Sequence, residues 1–159
     1  MSQKSLSYWL KIIILLMAVC GVAIYLYVMP TLLMPLITIS FESSLVSNIW
    51  LIILWISAIP CYIVLIFGWM IARNIGIDKS FSISNSKYLK NIMIVTIVDS
   101  AYFFIINIVM LKLNMSSVLI FVISMVLIFA GIVVATASAC LSHLVLKASK
   151  LQEQSDLTI

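Results

Sequence analysis

Charge is scarce in this chain. Only 9% of its 159 residues are charged and 65% are hydrophobic, whereas a soluble domain carries about a quarter charged residues. Too few polar groups remain to coat a water-facing surface, which argues against an ordinary soluble globule. Cysteine is also sparse. Cys20, Cys61 and Cys140 are an odd number in apolar surroundings, which argues against a disulfide framework. No further ligands are spaced around them for a metal, so they read as small apolar thiols filling gaps. The one histidine, His143, has no sequence partner that would support a pH-sensing role. Paired acids, a serine or cysteine beside a positioned base, phosphate-cradling glycine loops and histidine clusters are all missing. Neither an enzyme nor a cofactor is expected.

Long apolar runs dominate what is present. Ile12–Met29, Ile49–Ala72, Ile92–Leu111 and Val118–Leu141 are each close to or above the roughly 18–20 residues that a helix needs to cross about 30 Å of hydrocarbon. They predict spans at 9–29, 49–72, 91–111 and 118–141, with a connecting loop at 73–90 and a tail at 142–159. The expected fold is all-α, a single integral-membrane four-helix bundle. Lys4 and Lys11 ahead of the first run resemble the start of a signal peptide. The run is longer than a usual signal core, and no small-x-small site follows before Pro30, so it is read as a retained span.

Basic residues orient the chain. Lys4, Lys11, Arg73, Lys79, Lys87, Lys90, Lys147 and Lys150 lie on one side of the runs, and only Lys112 lies on the other. The excess of Lys and Arg in short inner loops predicts both termini in the cytoplasm. The net charge of +4 suits anionic headgroups and gives little reason to expect direct contact with nucleic acid. On the outer side, Pro30 to Asn48 is too apolar for a free loop. It is expected to lie along the interface or fold back as a cap, with a hydrophobic ligand site as the alternative. On the inner side, Gly76 is expected to end the second helix, and Ser82 or Ser84 to cap the third. Phe81, Tyr88 and Leu89 form an apolar cluster ringed by Lys79, Lys87 and Lys90, suited to membrane anchoring or to a partner.

Asp99 is the most suggestive single residue. It lies about seven residues into span three, roughly 10 Å inside the hydrocarbon edge. A carboxylate there costs at least about 2.5–3.5 kcal/mol, so it should face protein and find a donor or carry a proton. Thr96, Ser100 and Asn107 fall on the same side of the helix by the 100° rule. Ser138 and Thr136 on span four and Tyr62 on span two are candidate donors. Two readings follow, a structural clasp and a proton or cation relay. A relay needs a chain of ionisable groups, and the other spans offer no second buried acid or base. Span four carries Gly131, Ala135 and Ala139 at four-residue intervals, which permits close helix contact. That pattern serves contacts within one chain and in a homo-oligomer alike. The same helix is expected to run on past the membrane through His143–Leu151.

The inner-loop phrase Phe81-Ser-x-x-Asn85-x-x-x-Leu89-x-x-Ile92 and the terminal Asp156-Leu157-Thr158-Ile159 resemble the signature of a bacterial membrane family known as domain of unknown function 2975. Length and the four-span layout agree. The chain departs from its relatives in the serine-rich filling around Asn85 and in a less acidic tail. The resemblance implies a multi-pass protein of the cytoplasmic membrane that is often encoded beside a small helix-turn-helix transcription regulator. It thus implies a soluble cytoplasmic partner, held or released at Phe81, Asn85, Tyr88, Leu89 and the Asp156–Ile159 tail, which could bind as an extended segment. A non-enzymatic regulator is the leading expectation. The alternative is a small transport or antimicrobial-immunity protein using Asp99.

Overall fold

A computed structural model of the chain describes residues 3–33, 35 and 44–156. The described residues are helical throughout, apart from two short turns. Helix α1 (Gln3–Ala23) runs on into a π-helical stretch, Ile24–Leu33, and is followed by α2 (Ser44–Gly76), α3 (Ile83–Lys112) and α4 (Val118–Asp156). All four are long and apolar enough to cross a membrane. Of the segment expected to cap the outer face, Pro30 to Asn48, the two ends are helical, within the π-helical stretch and at the start of α2, and residues 34 and 36–43 lie outside the described residues.

Local chemistry explains both turns. Helix α2 ends at Gly76 as expected, but Gly76 is not its left-handed residue. Its left-handed residue is Asp78, at φ 58°. Asp78 N–H donates to the Ile75 carbonyl and Lys79 N–H to the Asn74 carbonyl, the paired bonds of a Schellman ending. Helix α3 ends the same way around Asn114, at φ 55°, with Asn114 N–H on the Leu111 carbonyl and Met115 N–H on the Met110 carbonyl. Asp and Asn tolerate this conformation better than other side chains. A serine starts the following helix in each case. Ser82 Oγ accepts from Asn85 N–H at 3.2 Å, and Ser117 Oγ accepts from Ile120 N–H at 3.3 Å, each occupying a donor that the first helical turn leaves unpaired. Of the two expected caps for α3, Ser82 is the one used.

The expected bundle takes the form of a curled row. Every helix packs against its neighbours in the chain, and no Cα of α1 or α2 comes within 8 Å of one in α4 among the described residues. Helices α3 and α4 make the closest pair. Gly131 sits so near α3 that a Cβ there would lie 2.5 Å from Ser100 Oγ. Along α4, Ile120, Ser124, Ile128, Ala135, Ser138, Ser142 and Ser149 are buried, a stripe at three- and four-residue spacing. The apolar part of the core lies toward the α3–α4 turn. There Trp50, only 2% exposed, packs with Ile53, Phe103, Met110 and Ile128 and donates from Nε1 to the Met115 carbonyl at 2.9 Å. The opposite end is stitched with polar groups: Ser86 and Ser142 each donate from Oγ to the other's backbone carbonyl at 2.8 Å. At 39 residues, α4 is about 58 Å long, so it extends far beyond a bilayer's hydrocarbon. It continues as helix through residues of the predicted tail. Leu157, Thr158 and Ile159 lie outside the described residues, and of Asp156 only the helical backbone is described.

Candidate functional site

The concave side of the row is a cleft of about 420 Å³ to which all four helices contribute. Met17 and Gly21 come from α1, and Tyr25 from its π-helical continuation. Pro60, Cys61, Tyr62 and Leu65 come from α2, Thr96 and Asp99 from α3, and Gly131 and Val134 from α4. Pro60 has no N–H to give the Ile56 carbonyl, so the α2 ladder is interrupted where it borders the cleft. Asp99 sits near mid-helix, 16 residues beyond Ile83 and 13 before Lys112. Its carboxyl is met by Ser57 Oγ, at 3.0 Å from Oδ1 and 3.2 Å from Oδ2. One hydroxyl hydrogen serves one oxygen at a time, so most of the carboxylate's acceptor capacity faces the cleft.

The predicted polar face divides into three places. Thr96 and Asp99 line the cleft, while Ser100 turns to Gly131 in the α3–α4 contact. Asn107 is fully buried two turns away. Its amide donates to the Phe103 carbonyl at 2.8 Å, and its Oδ1, like the Tyr102 hydroxyl, meets no hydrogen-bonding partner among the described residues. Ser138 is buried, but the antiparallel register that sets Ser86 beside Ser142 and Ser100 beside Gly131 places it level with Ile92, about 10 Å from Asp99 along the axis. Thr136 bonds the Ile132 carbonyl of its own helix, and Tyr62 donates to the Ala18 carbonyl of α1 at 3.0 Å. None of the three expected donors reaches the carboxyl. Sequence reading missed Ser57, whose signal was a lone hydroxyl inside span two. It also missed Tyr25, whose hydroxyl lies 3.9 Å from Cys61 Sγ. No cluster of three or more His, Cys, Asp or Glu able to hold a metal occurs among the described residues.

At the basic end, Asn85 is buried at 1% exposure. Its Oδ1 accepts from Asn74 Nδ2 at 2.7 Å, and its own Nδ2 donates to the carbonyls of Lys79 and Ser80. It organises the α2–α3 turn from inside and does not face outward as a contact residue would. Tyr88 is half-buried and stacks on Phe67 with ring centroids 6.0 Å apart, and Leu89 is half-buried as well. Phe81 is the member of the set that stands out, at 59% exposure. It lines a groove of about 400 Å³ with Asp78, Lys79, Ile83, Gln152 and Glu153, which joins the turn to the extension of α4.

Helix α1 touches both places. At one end Ser80 Oγ donates to Gln3 Oε1 at 2.9 Å, and Ser7 Oγ donates to the Ala72 carbonyl at 2.6 Å. Lys11 lies over the Trp69 ring at 5.8 Å, a cation–π distance. Ten residues on, Gly21 borders the cleft beneath the Tyr62 hydroxyl.

The family model described as "Protein of unknown function (DUF2975)" matches residues 32–159. No curated protein and no solved structure matches the chain.

Proposed function

Because this chain belongs to the DUF2975 family, whose description names no activity, we propose from the geometry that it is a non-enzymatic regulator in a bacterial cytoplasmic membrane. Both termini face the cytoplasm, and the basic end binds a soluble protein, a small helix-turn-helix transcription regulator. The observation that carries this reading is the position of α1, which borders the Asp99 cleft and also holds the turn that presents Phe81. An event in the cleft that displaces α1 changes the turn and the groove beside it. Such an event acts only if it favours one arrangement over the other. Eight of the nine basic residues gather at the groove's end, which supports the inward orientation through the positive-inside rule. The helix-turn-helix identity of the partner rests on the resemblance alone.

Affinity purification from native membranes tests the reading. A DNA-binding protein should co-elute with the wild type, and its recovery should fall at least about fivefold in Phe81→Glu, as for an exposed aromatic anchor. Equal recovery from both would overturn docking at this groove. A second reading, a small transport or immunity protein, is favoured by the open face of the Asp99 carboxyl. Resistance to a toxic compound that depends on Asp99, and persists when the chain is cut before Glu153, would select it.

A further inference from the structure

Within the spans, Asp99 is the one acidic residue, and among the described residues it meets no cation. On its own helix the nearest basic residues, Lys90 and Lys112, are about 14 and 20 Å away by helical rise, and no ion pair reaches it among the described residues. Its protein partner is the single hydroxyl of Ser57. An ionised carboxylate accepts about four hydrogen bonds, and in hydrocarbon an uncompensated one is costly. Apart from Thr96, Cys61 and the tyrosine hydroxyls, the cleft it faces is apolar, and it is aromatic at one edge. Tyr25 and Tyr62 form a wall shared with a second hollow of about 310 Å³, in which Leu26 and Trp55 are well exposed. In a bilayer those two side chains meet lipid, so the second hollow is an approach to the cleft from the membrane and not from water.

We propose that the cleft binds a lipophilic monovalent cation, such as a long-chain or aromatic amine or a quaternary onium. Its charged head would lie between Asp99 and the rings of Tyr25 and Tyr62, and its apolar body along Met17, Leu65 and Val134. Each part of the site selects against an alternative. A single carboxylate gives a divalent metal too few ligands. An anion would meet the like charge of Asp99, and a neutral alcohol of the same length would leave that charge unpaired. Aromatic faces add attraction for a cation and for nothing else of that shape. The proposal rests on the cleft as the place where a signal enters and is independent of the docking groove. Ligand in the cleft would bear directly on Gly21 and Met17 of α1, the helix that holds the Phe81 turn.

The full chain in lipid nanodiscs, without any soluble partner, gives the test. Radiolabelled tetraphenylphosphonium should bind saturably. Dodecylamine should displace it, and dodecanol and dodecanoate should do so at least about tenfold more weakly, since only the amine brings a charge opposite to that of Asp99. Asp99→Asn should weaken binding about tenfold or more, while Asp99→Glu, which keeps the charge, should retain it. Leu65→Trp, which fills the cleft and leaves Asp99 in place, should abolish binding without lowering the unfolding temperature. Three results would overturn the proposal: no saturable binding, equal displacement by dodecanol, or full binding by Asp99→Asn. Equal displacement by dodecanol would identify the cleft as space for an acyl chain. Saturable binding with no recovered soluble protein would remove the docking reading and leave this site standing, whereas the converse pair of results would remove only this site.

Discussion

Between Ser86 and Ser142 two hydroxyls each donate to the opposite backbone, and Gly131 brings α4 against Ser100 in the same interface. Helix α1 has far less. Ser7 is its one buried residue, and Trp9, Leu15, Leu16 and Val19 are all more than half exposed. In lipid an exposed leucine is at no disadvantage, so apolar surface alone does not drive helices together. Close packing and interhelical hydrogen bonds decide. The α3–α4 pair has both along the most extensive contact in the fold, whereas among the described residues α1 packs on α2 alone, close to it at Gly21 and Gly76 and bonded to it and to the turn after it by a few polar contacts. Held on one side only, α1 is therefore expected to be the movable wall of the cleft and the hairpin its fixed frame.

Breaking the frame should have the largest effect. Gly131→Leu places side-chain atoms where Ser100 Oγ already lies, and overpacking of that kind costs about 1–3 kcal/mol. We expect a lowered unfolding midpoint in mild detergent, partly recovered by adding Ser100→Gly. Next comes the Ser86–Ser142 clasp. A double-mutant cycle with Ser86→Ala and Ser142→Ala should return a coupling of about 0.6–2 kcal/mol, and additive single effects would show that each hydroxyl finds another partner. On the α1 side, Ser7→Ala should cost no more than about 0.6 kcal/mol and should speed amide exchange in α1 but not in α3 or α4. Gly76→Ala should act alike, because its Cβ would lie 2.7 Å from Ser7 Oγ, and Ser7→Gly should relieve it. Asp99→Asn should change stability least, within about 0.5 kcal/mol, since an amide oxygen can still accept from Ser57.

The spans, the basic end, a serine cap on α3 and the inward placing of Asp99 were legible because each follows from length, charge or a local donor. The row was not. Span one is apolar on every side, so its sequence carries no mark of which face meets protein. Ser57 was hidden for a related reason, since a hydroxyl in an apolar run bonds its own helix as readily as a neighbour, as Thr136 and Ser124 do. Gly76 does end α2, but not through a left-handed glycine: its missing side chain serves the approach of Ser7, and Asp78 takes the left-handed position. Asn85 resembled a surface residue because its sequence neighbours are polar. It is buried because the turn's carbonyls at Lys79 and Ser80 need donors.

Motion of α1 against a fixed α3–α4 hairpin is measured directly by pulsed electron resonance on spin-labelled protein in nanodiscs. With Cys61→Ser, labels on Cys20 of α1 and Cys140 of α4 report across the cleft. In a cysteine-free background, labels at Ile94→Cys and Val133→Cys report within the hairpin. The distance distribution should be broad across the cleft and narrow within the hairpin. Two distributions of equal, narrow width would contradict that motion.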